Sequence, residues 1–342
     1  MDTNKIVEEV RSQLTGDRLK DYHFLKAKLD ELARNPETLE AARAVSSILM
    51  EVIRPDEVEA MKQKMQTEIS RREALFAKAE NLFKEGKLEN AKVVLDKIIA
   101  QVIGYFEDDE VYHYVNIEEA FAFQIYTNIM YKGEKIIRLT PDHMYKYHYL
   151  HGVVCSKLGL LDEAYESYLK SLRWFPNAFP VFLELANIHM ARKELDKVPA
   201  LVAEAQKYCF VPSELGRCFR AIGYYGFLVE DFRLAMAGYL SSTIFDQTTD
   251  IKKELGLAAS KLGQTTFEPL TPAESKVEVE KVGMVFGGNV EIIKMAIALS
   301  KEFAARKNYQ TAIYFLQIAY NLTRDDGIKE SLDKLVELSK AN

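Results

Sequence analysis

Residues 151–177 read HGVVCSKLGLLDEAYESYLKSLRWFPN, and the spacing of small and aromatic residues in this stretch decides the fold. Gly152 lies twelve residues before Ala164, Tyr168 follows four later, and Pro176 closes the unit. Two antiparallel helices come close only where small side chains face each other, with larger residues filling the gaps beside them. Counting the unit from Tyr145, Gly152 takes position 8, Gly159 position 15, Ala164 position 20, Tyr168 position 24 and Pro176 position 32.

A step of 34 residues reaches Phe179, where Phe182, Leu185, Ala186 and Ala205 fall in equivalent slots, while Lys193 and Val198 depart from them. The next unit starts three residues late, at Gly216, with Phe219, Ile222, Gly223, Phe232, Ala235 and Tyr239. A fourth, from Thr249, carries Gly256 and Gly263, and Pro269 and Pro272 interrupt its second half. Upstream, Arg72–Gln101 supplies Leu75, Ala79, Leu82, Gly86, Ala91 and Leu95. Downstream, Ile293–Leu322 supplies Leu299, Ser300, Phe303, Tyr309, Ala312 and Ala319. Recurrence in near-constant register signals a stacked array, in which each unit packs on its neighbours.

This pattern resembles the tetratricopeptide-repeat (TPR) family over roughly Arg72 to Leu322. The resemblance implies an all-α, right-handed superhelical solenoid of antiparallel helix pairs. Around it we expect a helical region over 1–70, a first repeat with an irregular insertion over 71–144, and a central array over 145–264. A Pro-punctuated linker over 265–292 and a C-terminal repeat with a polar-backed capping helix over 293–342 complete the expected organisation. Within the insertion, an acidic run, Glu107 to Glu110, reads as a solvated loop and Asn116 to Tyr131 as a helix. Asn35-Pro36 and Arg54-Pro55 read as helix starts, and Val58, Met61, Met65 and Ile69 form an apolar stripe. Thr271-Pro272-Ala273-Glu274 has the form of a capping box, which favours a helix although Val277–Glu280 alternates as a strand does. No strand is otherwise expected.

Composition narrows function. The formal charge of −6 and pI near 5.7 oppose nucleic-acid binding, which needs a basic footprint. The opening MDTNKIVEEVR has no apolar signal core, and no stretch is long and apolar enough for a membrane span. Three separated cysteines give neither a disulfide framework nor a zinc knuckle, so a cytoplasmic setting is expected. Phosphate loops, GxSxG and HExxH are absent, and the chain reads as a non-enzymatic protein without cofactor. His148, His151 and Cys155 share one helical face at metal-ligand spacing, but they occupy positions 4, 7 and 11, which pack inside a repeat, so no metal is expected.

In the TPR family the first helix of each unit lines a concave groove through positions near 2, 5, 9 and 12. Carried over, these are Lys146, Tyr149, Val153 and Ser156; Pro180, Leu183, Asn187 and Met190; Arg217, Arg220, Tyr224 and Phe227; and Asp250, Lys253, Leu257 and Ser260. Apolar anchors with basic surroundings suit a protein or peptide partner with apolar anchors and acidic flanks. The two-carboxylate clamp of TPR co-chaperones is absent, because Tyr149, Leu150, Val153, Pro180 and Glu184 stand in its positions. The expected role is a protein-interaction scaffold or adaptor, with a ligand- or peptide-responsive regulator that changes conformation or oligomeric state as the alternative. The groove could instead be filled from within, by the linker 263–272 or the helix beyond it. Untagged protein is expected to carry far less than one equivalent of zinc or iron; elemental analysis finding a full equivalent, lost in His151→Ala, would refute the packing role of these side chains.

Overall fold

Six helical turns end alike, and they set the architecture. The computed structural model describes residues 3–32, 38–52, 55–247 and 250–341. Gly86, Gly159, Lys193, Glu230, Gly263 and Lys307, the residues at position 15 of the six units, all adopt left-handed backbone, with φ between 59° and 77°. At five of these turns the next residue's N–H donates back to a carbonyl five residues earlier: Lys87 to Leu82, Leu160 to Cys155, Glu194 to His189, Gln264 to Ala259 and Asn308 to Phe303. This is the Schellman closure, which satisfies the last carbonyls of one helix while reversing the chain toward the next. Lys193 departs from the repeat's glycine and takes the same conformation without it.

Seventeen α-helices are present among the described residues, and the chain divides into two compact units, 1–116 with 132–154 and 117–131 with 155–342. In the first unit, α1 (Thr3–Ser12), α2 (Arg18–Leu32) and α3 (Leu39–Val52) bury Val10, Leu25, Val45 and Ile48 in one core. Helices α4 (Pro55–Lys84) and α5 (Leu88–Val102) form a hairpin closed on Ala79, Ala91 and Leu95, all fully buried. The expected helix start at Asn35-Pro36, Arg54 and the side chains of Val58 and Met61 lie outside the described residues, as does Thr249.

The expectation of no strand is corrected. Strands β1 (Tyr112–Val115) and β2 (Ile136–Leu139) pair in parallel, Tyr112 opposite Ile136 and Val115 opposite Leu139. Four-residue strands whose partner lies 24 residues away leave no local periodicity to detect. The acidic run fastens the first of them. Asp109 accepts from the Val111 and Tyr112 N–H groups, and Asp108 accepts from the Tyr114 N–H and bonds His113 Nδ1 at 2.6 Å. Asp30 of α2 receives Arg138 of β2 and the Tyr112 hydroxyl, the latter at 2.7 Å. Deeper in this unit, Arg72 is held by Asp142 at 2.6 Å with both side chains buried, and the Tyr147 hydroxyl donates to the same carboxylate at 2.7 Å. Burial, followed by that hydrogen bond and the Asp142 charge, pushes the Tyr147 phenol far above its ordinary range. Helix α7 (Met144–Lys157) carries Tyr147.

The second unit is an all-α array of successive hairpins. Helices α8 (Leu161–Trp174), α9 (Phe179–Ala191), α10 (Val198–Gln206), α11 (Pro212–Leu228) and α12 (Phe232–Phe245) each pack on the next along α8–α9–α10–α11–α12. Helices α13 (Lys252–Lys261) and α14 (Pro272–Glu280) both lean on α12. Thr271 and Glu274 complete the expected capping box of α14, so this segment is helical. The C-terminal pair α15 (Val290–Ala305) and α16 (Tyr309–Thr323) is followed by α17 (Asp326–Ala341), which packs on α16 through a face that buries Leu332.

The tightest hairpin is α11–α12. A Cβ at Gly238 would stand 2.5 Å from the Gly223 nitrogen, and one at Gly226 would stand 2.6 Å from the Ala235 nitrogen. Backbone meets backbone at the slots where small residues recur. A polar clip joins the C-terminal segment to this region: Gln206 donates to the carbonyls of Val285 and Gly287 and accepts from the Val285 N–H, and Asn289 donates to the Lys207 carbonyl.

Two outcomes follow in melting and denaturant titrations. Gly238→Ala is expected to destabilise by about 1–3 kcal/mol or more, since the facing atom is backbone and cannot yield. Lys193→Gly, Glu230→Gly and Lys307→Gly are each expected to raise stability by up to about 1 kcal/mol, because glycine relieves the left-handed penalty at a site already held.

Candidate functional site

The first helices of the array present two different surfaces. On α9, Leu183 and Met190 are buried and Asn187 is exposed. On α11, Arg217 and Tyr224 are exposed, with Tyr224 at 50%, and Leu228 continues the stripe one turn on. On α13, Lys253, Leu257 and Ser260 are exposed, Leu257 at 51%. Spacings of three and four residues place each set along one side of its helix.

Helices α11 and α13 both pack on α12. Burial first, then the nearby Glu254 and Tyr224, push the Tyr239 phenol of α12 up to about 12. Phe227, Ala235, Met236, Leu255, Ala258 and Ala259 share one small core beneath them. Glycine at position 256 leaves open space above its backbone, and a depression of about 420 Å³ lies beside Leu255, Ala259 and Phe267.

Two expected groove residues have internal partners. Arg220 is ion-paired with Asp246 at 2.9 Å, and Asp246 is nearly fully buried. Phe227 packs on the Phe232 and Tyr239 rings, with centroids about 6 Å apart. Arg217 lies over the Phe179 ring at 5.2 Å while remaining exposed. Lys146, Tyr149 and Val153 are half-buried on α7, where Tyr149 stacks on Tyr145 at 5.6 Å.

The core that contains Leu183 and Met190 also contains Phe121 and Ile125. These come from a short helix, α6 (Ala120–Ile125), extended by a π-helical turn over Tyr126–Met130 in which the Tyr131 N–H donates to the Tyr126 carbonyl. The Phe121 ring stands edge-on to Phe210 and tilts against Phe315, both at 5.3 Å. Burying a phenylalanine and an isoleucine contributes about 1.5–3 kcal/mol each. Asn177 donates to the Ala122 carbonyl at 2.9 Å, and the Tyr314 hydroxyl donates to Glu119, whose other carboxylate oxygen caps α6. Of the internal occupants considered from sequence, the 263–272 linker contributes Leu270 to the core beside Phe227, and Phe267 stays exposed. The Phe121–Ile125 segment was not foreseen as an occupant. Its i, i+4 apolar pair was visible, but no repeat slot claims it.

His148, His151 and Cys155 are buried on α7, and His151 Nε2 lies 2.9 Å from Asp96. Cys209 and Cys218 are buried with their sulfurs 3.6 Å apart, and desolvation pushes the Cys209 thiol well up, which suppresses thiolate chemistry. Among the described residues, no helix is long and apolar enough to cross a membrane.

No protein-family model matches the chain, and no curated protein matches it. Among solved structures the chain is similar to YrrB, described as a TPR protein with an unusual peptide-binding site, at 14% identity over 63% of this chain and 98% of that one. The TM-score is 0.30, so the array rests on this chain's own turns and packing.

Proposed function

We propose that this chain is a non-enzymatic protein-interaction scaffold or adaptor that takes a partner segment on the exposed stripes of α11 and α13. The observation that carries the reading is the presence of two half-exposed apolar side chains, Tyr224 and Leu257, on helices that both pack on α12, each helix also carrying an exposed cation, Arg217 or Lys253. An aromatic side chain loses little conformational freedom on binding and supplies a large contact area, which is why such residues dominate binding energy. The exposed cations favour a segment with apolar anchors and acidic flanks, and they speed encounter more than they tighten the complex.

The partners of Arg220 and Phe227 refine which residues can test this. Arg220→Glu would set a carboxylate against buried Asp246, and Phe227→Ala would open a core, so either would lose binding through misfolding. Tyr224, Leu257, Arg217 and Lys253 can be changed without that penalty.

Quantitative mass spectrometry on affinity captures from the native host should find proteins retained by the wild type and lost by a Tyr224→Asp/Leu257→Asp variant of unchanged melting temperature. For a purified partner found in this way, Tyr224→Ala should weaken binding by about 2 kcal/mol or more. Arg217→Glu should weaken it less, with a reduced salt dependence. Equal capture by wild type and the folded double variant would overturn the reading.

A further inference from the structure

The turn between α10 and α11 brings two thiols into contact. Cys209 lies just beyond the end of α10, and Cys218 lies within α11. Both are fully buried, and their sulfurs are 3.6 Å apart. Bonded sulfurs stand about 2.05 Å apart, so the pair has to close by only about 1.5 Å to become a disulfide. The α11–α13 stripes make no use of either thiol.

The contact is held from both sides. Glu214 accepts from the Phe210 and Val211 N–H groups at 3.0 and 3.1 Å, which closes the turn over the start of α11. Pro212, at the first position of that helix, presets its backbone torsion. At the other end, Gln206 is tied to the backbone of Val285 and Gly287, and Asn289 donates to the Lys207 carbonyl. The Cys209 thiol donates to the Ala205 carbonyl at 3.4 Å. A turn fixed in this way gives each sulfur a high effective concentration toward the other, which the same two thiols lack in an unfolded chain.

We propose that Cys209 and Cys218 form a disulfide site, a redox-sensitive staple that joins α10 to α11. The oxidant is a small disulfide such as glutathione disulfide. One cysteine thiolate attacks it and displaces the first glutathione. The second thiolate attacks the protein sulfur of the mixed disulfide and displaces the other. The oxidant's S–S bond is replaced by one between the cysteines, and the two thiol protons end on the two released glutathiones. Burial holds the Cys209 thiol well above its ordinary range, so the first attack goes through transient opening of the turn. The bond therefore forms slowly and, once enclosed, is sheltered from reductant. It fixes α11, which carries Arg217 and Tyr224, against α10.

The test is an equilibrium. The full chain is held in glutathione redox buffers, folded in one series and unfolded by urea in the other, and the end point is approached from both the reduced and the oxidised chain. After free thiols are blocked with N-ethylmaleimide, trypsin releases Cys209 in residues 208–217 and Cys218 in residues 218–220, two peptides that mass spectrometry finds joined where the disulfide has formed. The folded chain should favour the crosslink at least tenfold more than the unfolded chain does. An equal or smaller preference overturns the inference, since the folded core would then resist the bond. The oxidised chain should also melt about 3 °C or more above the reduced one. Cys218→Ala, given the same oxidation, should show no such rise, and an equal rise there overturns the staple. The equilibrium uses the wild type alone and decides the matter whether or not this variant folds.

Discussion

Backbone approaches backbone inside the α11–α12 hairpin, and the packing around it is arranged about that contact. Gly238 and Gly223 leave no side chain between the two helices. Helix α12 also carries α13 and α14, while α11 remains in contact with α9 and α10. The large residues next to these glycines do the filling. Phe219 stacks on Phe245 at 5.6 Å and meets Phe286 from the C-terminal segment. Small residues set distance, and aromatic residues set what the distance encloses.

What could be read in advance was local. Hairpin positions, the capping box of α14 and the burial of Gly223, Ala235 and Tyr239 follow from spacings of a few residues, since helix periodicity and turn closure are decided within one or two turns. What could not be read was the pairing of distant residues. Arg72 and Asp142 are 70 positions apart, and nothing around either marks it as half of a buried ion pair. Arg220 looked like a free cation because Asp246, its partner, lies in the following helix's C-terminal cap. The β1–β2 pair and the docking of Phe121 share the same origin. Each joins a segment of the insertion to residues that sequence order does not place beside it.

Two buried polar groups, one in each unit, are each met by several partners at once. In the first unit, Asp142 takes Arg72 and Tyr147 on its two carboxylate oxygens and also receives the His143 N–H. Removing one member would leave a buried charge, which costs about 3–5 kcal/mol, although the intact pair adds little net stability. In the second unit, the Gln206 side chain behaves as a piece of strand, giving and accepting hydrogen bonds with the backbone of Val285 and Gly287. An amide that both donates and accepts fixes the register of a loop as well as its distance.

Three of the six left-handed turns are held by Lys193, Glu230 and Lys307, residues that carry no mark of such a turn. A residue other than glycine is tolerable at these corners because the surrounding helices over-determine the bend. The turn is therefore a property of the whole hairpin, and what the six units share at position 15 is a backbone torsion, whatever residue adopts it.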